Sequence, residues 1–232
     1  MAGIAVHLII ARKMIKLLPQ GTIKEEGLFY AGSIAPDAIH ARENYVRAYK
    51  KHTHLRDDIP DRDFTGGSYL NLFHKRVADF IFEYRDRKDG LLDVYRGYVV
   101  HLLTDELFLI TLRQEMVRVM AEQGIDQNDR KFFNNAVTDM NRNDVLLTDH
   151  YPEMDEIRRK LEIVKPFQID NMLSEFELSG SREWVMNRFF HEKHEIIQPE
   201  YISFDRTKEF ITIATADIVE RLSEGGSLPR MF

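Results

Sequence analysis

The chain predicts an all-α fold, a compact multi-helix bundle in one domain spanning residues 1–232. Three observations carry this expectation. Apolar residues recur at helical spacing in most segments, and no segment shows the strict alternation of a half-buried strand. Composition agrees, because 232 residues with 44% hydrophobic and 30% charged side chains suffice for one sizeable core and lack any low-complexity linker.

The elements follow in order. Ile4, Leu8, Ala11, Ile15 and Leu18 share one face and stop before Pro19-Gln20-Gly21, which predicts a first amphipathic helix with His7 at the edge of its apolar side. In GSIAPDAIHARENYVRAYKK, Ser33 and Pro36 are start signals, and Asp37 falls in a first turn, where a carboxylate suits the helix dipole. The polar stretch KKHTHLRDDIPDRDFTGG, with Pro60 and Gly66-Gly67 as breakers, predicts a loop carrying His52 and His54. Leu72, Val77, Phe80, Ile81 and Tyr84 mark a helix from Ser68 to about Arg87, and a long helix from Leu91 to about Gln123 closes at Gly124. Further helices are predicted near 127–140, 152–164, 170–178, 181–197 and 205–223, with Asp126, Asp170, Ser181 and Asp205 as caps or first-turn residues.

Composition narrows the chemistry. A formal net charge of -6 argues against general nucleic-acid binding, which relies on clustered Lys and Arg. The absence of cysteine excludes disulfides and thiolate ligands, leaving His, Asp, Glu and backbone groups to build any site. In MAGIAVHLIIARKMIKLL the charges follow the apolar run, so it reads as a helix and not as a signal segment, and no stretch attains the roughly 20 apolar residues of a membrane span. The expected location is cytoplasmic.

One stretch stands apart. GYVVHLLTDELFLITL places His101 and Asp105 one helical turn apart on an otherwise apolar segment, so both side chains project from one face. A carboxylate in an apolar interior costs several kcal/mol unless it is paired or coordinates a metal. His7, Asp37 and His54, each in a different segment, complete a possible set of nitrogen and oxygen ligands, suited to zinc and also to manganese or iron.

The ordered set His7-Leu8, then YAGSIAPDA around Asp37, then KKHTHL with His54, then GYVVHLLTD with His101 and Asp105, resembles the bacterial zinc-dependent phospholipase C family over roughly residues 1–110. That family shares its all-helical fold with the S1/P1 nucleases. The resemblance implies that Asp37, His54, His101 and Asp105 bind one metal, that His7 and Asp105 bind a neighbouring one with Asp105 bridging, and that Asp37 also acts as general base. The helix continues as ELFLITLRQEM without the histidine that a third metal of the family needs, so one or two zinc ions are expected.

The implied activity is metal-dependent hydrolysis of a phosphoric ester, a small phosphate ester or a phospholipid, by a metal-activated water. Two rivals stand beside it. In one, the metal merely ties helices of a non-catalytic binding protein together. The other, an HD-type phosphohydrolase, needs an adjacent His-Asp pair, and only the reverse, Asp149-His150, occurs. His40, His52 and the HxxxE pair His191/Glu195 rank below the main set as ligands, His74 and His150 read as surface residues, and Trp184, Phe189 and Phe190 read as core.

Overall fold

The computed structural model describes residues 2–232, and every regular element among the described residues is helical. Two apolar rods form the centre. Helix α1 (Ile4–Leu17) buries its face against α2 (Glu26–Ile34), and α5 (Leu92–Ile110) is buried on nearly all sides. An all-round apolar helix of this kind belongs in the middle of a bundle.

The tightest contact in the fold joins α2 to α5. Gly32 and Gly97 make it possible, because a Cβ on Gly32 would lie 2.2 Å from the Val94 carbonyl oxygen and one on Gly97 would lie 2.2 Å from that of Phe29. The backbones therefore touch where these residues have no side chains. Sequence reasoning passed over α2, whose two glycines lower its helix propensity; the packing against α5 supplies what propensity lacks.

Helix α2 runs directly into a 3₁₀ segment, Ala35–Ala41, so in place of the helix expected after Asp37 there are about two tight 3₁₀ turns that present Asp37 and His40. The expected loop at 50–67 begins differently: α3 (Arg47–Thr53) is helical, and His54 sits at its C-cap with its backbone N–H on the Lys50 carbonyl. Its sequence offers no apolar stripe, which is why it reads as loop. Helix α4 (Gly67–Tyr84) matches expectation within a few residues.

The long helix expected over 91–123 is two. α5 ends at Thr111, whose φ of -121° and ψ of -89° break the helix before α6 (Leu112–Glu122). Thr111 Oγ1 donates to the Leu107 carbonyl at 2.6 Å. Gly124, at φ 75°, then terminates α6 as its position predicts. α7 (Arg130–His150) is longer than expected, and α8 (Met154–Glu162) falls inside its predicted range. The helices expected at 170–178 and 181–197 are instead one, α9 (Glu175–Met186), opened by a Ser174/Glu177 capping box and continued by a π-helical turn over Asn187–His191. Ser181 is thus internal to the helix. α10 (Phe204–Leu222) starts at a Ser203 cap and buries Phe210, Ile211, Ala214, Ile218 and Leu222 against α1 and α5, the packing stripe the sequence predicts.

The start of α1 is anchored from outside. Its N-cap is Gly3, which brings no side chain, and the Asp144 carboxylate of α7 accepts from Ala5 N at 3.2 Å instead. A Cβ on Gly3 would lie 2.2 Å from Asp144 Oδ1. This seat fixes the rotation of α1 and with it the direction of His7. Among the described residues no helix is long and apolar enough to cross a membrane.

Candidate metal centre

Helix spacing and the close approach of α2 to α5 build the site. His101 and Asp105 project from one face of α5, as their spacing dictates. Because the Gly32/Gly97 contact brings α2 against α5, the Ser33 carbonyl comes within 2.8 Å of His101 Nδ1. A carbonyl only accepts, so the proton is on Nδ1 and the Nε2 lone pair is left free. His54 is held in the same way, its Nδ1 donating to the Lys50 carbonyl at 2.9 Å. Both rings are thus oriented and fixed in tautomer by backbone oxygens, the second-shell arrangement of a metal-ligating histidine.

The two freed nitrogens face each other. His101 Nε2 and His54 Nε2 are 3.3 Å apart. Asp37 Oδ1 is 3.4 Å from His54 Nε2, while Asp105 Oδ2 is 3.6 Å from His54 Nε2 and 3.8 Å from His101 Nε2. On the other side, Asp105 Oδ1 is 3.5 Å from His7 Nε2 and accepts the Ala2 N–H at 2.7 Å. His7 stacks flat on His101, with centroids 3.9 Å apart and planes 6° from parallel.

All five residues singled out in the sequence therefore meet in one place. Their ligand atoms form two overlapping groups, His7/His101/Asp105 and Asp37/His54/His101, in each of which the atoms lie within 4.8 Å of one another. The grouping differs from the one the resemblance implies: the residue common to both groups is His101, and Asp105 falls in the group with His7.

The fit to a cation is tested by what has no partner. Buried polar atoms are nearly always hydrogen-bonded. Here both ring nitrogens of His7 and Asp105 Oδ2 are buried without a hydrogen-bond partner among the described residues. Two opposed imidazole lone pairs, two carboxylates and two orphaned nitrogens in a buried space suit a divalent ion, and the all-nitrogen and oxygen donor set suits zinc, manganese or iron.

The electrostatics keep the donors in metal-binding form. Burial pushes the His101 pKa down to about 3, and also lowers that of His54. For Asp37, burial works to raise the pKa, but the adjacent Lys50 ammonium above all outweighs it and holds the carboxyl well below its usual range. Asp105 is likewise held low, burial being outweighed by the polar groups around it, the His101 and His7 rings among them.

Lys50 was not foreseen. It is 6% exposed, with Nζ against Asp37 Oδ1 and 2.9 Å from His40 Nε2. Nothing in KKHTHL separates it from a solvated lysine; only its place one turn before His54 could have pointed to it. Ser33, expected as a helix start, serves through its carbonyl instead. The lesser candidates lie outside the cluster: His52 is exposed and paired with Asp57 at 2.8 Å, His191 is exposed and bonded to the Asn187 side chain, and His40 lines the outer edge beside Lys50. Two expectations are corrected. His74 is no free surface residue but pairs with buried Glu106 at 2.8 Å, which Arg221 also grips at 2.9 Å. Trp184 is exposed and Phe190 only partly buried, so of the three aromatics only Phe189 is core.

A pocket of about 220 Å³ opens beside the cluster, with His54 and Lys50 at their common boundary. Basic residues of α3 and the following loop line one side, and apolar residues of α5, α6 and α7 line the other. Comparison of the chain with models of protein families, with curated proteins and with solved structures gives no match, so the chemistry of the site carries the functional reading.

Proposed function

We propose that the protein is a metal-dependent hydrolase of phosphoric esters, its metal held by Asp37, His54, His101 and Asp105, with His7 and Asp105 able to hold a second ion. The observation that carries this reading is the pair of backbone-locked imidazoles whose Nε2 atoms face each other at 3.3 Å between the buried Asp105 and the partly buried Asp37 carboxylates. Such a divalent ion would supply a Lewis acid and lower the pKa of a bound water toward roughly 7.

The chain's own groups do the rest. Ser33 and Lys50 carbonyls hold the ligating rings in place. Asp37, ionised and at the edge of the cluster, acts as ligand and accepts a hydrogen bond from the attacking water; as general base it would be weak, because its pKa is held low. The Lys50 ammonium faces the same space and neutralises charge on the phosphoryl oxygens. The water oxygen bonds to phosphorus and releases a proton to solvent past Asp37, the ester P–O bond breaks, and the leaving oxygen takes up a proton from solvent. The pocket next to His54 receives the ester.

Purified protein is expected to carry one or two equivalents of divalent metal per chain and to hydrolyse bis(p-nitrophenyl) phosphate. His101→Ala is expected to lose both. A metal-free protein, inactive after supplementation with zinc, manganese and iron(II), would refute the reading. The burial of His7, His54, His101 and Asp105 favours a second reading, a purely structural metal. Stoichiometric metal with no turnover of any phosphate ester would select it.

A further inference from the structure

The pocket beside the cluster has two unlike walls. One carries Arg47, Lys50, Lys51 and Arg56, with Asp61 as its single acid, and Arg113 of α6 adds a fifth cation from the other side. The other is Phe108, Met116, Phe132, Phe133, Val137 and Met140. Asp61 neutralises part of the basic wall, binding Arg47 through Nε at 2.8 Å and Arg56 at 3.2 Å, and Lys50 is occupied by Asp37. Lys51 reaches only the Ile59 carbonyl, at 2.9 Å. Arg113 lies over the Phe132 ring at 5.4 Å and makes no ion pair among the described residues.

Two cations of this pocket, Lys51 and Arg113, therefore make no ion pair among the described residues. Arg56 adds a buried Nε with no hydrogen-bond partner among the described residues. On the opposite wall Phe133 is exposed, an unusual setting for a phenyl ring that lines a cavity. Cations in excess on one side and uncovered hydrocarbon on the other call for a ligand that has both characters.

We propose that this pocket binds an amphiphile with a head of at least two negative charges, a phosphomonoester or diphosphate on an apolar chain, in preference to one with a zwitterionic head. The apolar chain lies along Phe132, Phe133 and Met140, and the non-reacting anionic group meets Lys51 and Arg113. The proposal rests on the phosphoester-hydrolase reading for what happens at the reacting phosphorus, but its test reads binding and needs no turnover.

The test is a calorimetric titration of the metal-loaded protein with decyl diphosphate, decylphosphocholine and inorganic pyrophosphate, each below its micellar concentration. Decyl diphosphate is expected to bind at least about tenfold tighter than either, the scale of one charge-assisted hydrogen bond or a few buried methylenes. Any affinity of a diphosphate for the metal itself acts on decyl diphosphate and pyrophosphate alike, so their difference reads the apolar wall. Arg113→Gln is expected to weaken decyl diphosphate about tenfold while moving decylphosphocholine less than about twofold. Phe133→Ala is expected to weaken both tailed ligands and leave pyrophosphate unchanged. Decylphosphocholine binding as tightly as decyl diphosphate, pyrophosphate binding as tightly as decyl diphosphate, or no binding at all would overturn the proposal, while the metal content and hydrolysis of the small diester decide separately whether the hydrolase reading stands.

Discussion

At the scale of single residues, two buried groups outside the donor set control the site. Lys50 holds Asp37 ionised and points the same charge toward the space a phosphoryl group would fill. Lys50→Gln is expected to lower turnover of an activated diester by about 10²–10³ while retaining metal, the loss seen when one preorganised donor to a developing charge is removed; unchanged turnover with full metal content would contradict that role. Asp144 holds the start of α1 and so the aim of His7. Burial pushes its pKa up to about 7 against the backbone N–H groups of Ile4, Ala5 and Val6 and the charge of Arg188, which act to lower it. A carboxyl whose folded pKa is raised stabilises fully below its unfolded value near 3.9, and that contribution is lost as pH rises toward about 7. Thermal melts from pH 5 to 8 are thus expected to show falling stability in the wild type and a flatter profile in Asp144→Asn, and parallel profiles would exclude the assignment. The donors themselves were partly legible. His101 and Asp105 announce themselves as polar residues one turn apart on a greasy helix, whereas Lys50 and Arg113 look like any solvated cation until the fold surrounds them.

At the scale of elements, the α2–α5 contact sets the geometry. Without Gly32 and Gly97 the helices could not approach closely enough for Ser33 O to reach His101 Nδ1. Gly97→Ala is expected to cost about 1–3 kcal/mol through overpacking, offset only slightly by better helix propensity, and to lower metal affinity as well because it displaces Ser33 from His101. Differential scanning calorimetry and a metal titration check the pair of effects; a variant that melts and binds like the wild type would show the contact to be incidental. The same contact explains what sequence reading could and could not see. Helices with a clear apolar stripe, α1, α4 and α10, were read within a few residues. α2 was passed over because its stability comes from tertiary contact, and α3 because KKHTH has no stripe at all. The break at Thr111 lies in LFLITLRQEM, where neither glycine nor proline signals a stop, and it shows only in the non-helical Thr111 backbone between α5 and α6.

At the scale of the whole molecule, the cluster gathers α1, the turn after α2, the end of α3 and the middle of α5 around one space. A cation there would tie together segments more than ninety residues apart in sequence, and its binding free energy would add to folding stability. The all-α architecture and the convergence of His7, Asp37, His54, His101 and Asp105 were both legible in the order of the motifs; the two-walled pocket was not, since its apolar side comes from α5, α6 and α7, whose relative placement only the tertiary structure provides. The most direct measurement is a calorimetric titration of zinc into chelator-treated protein, with His101→Ala run in parallel. The wild type is expected to bind one or two ions per chain and to melt at a higher temperature once loaded, and the variant to do neither. Failure of the wild type to bind zinc, manganese or iron(II), or equal binding by wild type and variant, would contradict the proposal that these five side chains form a metal centre.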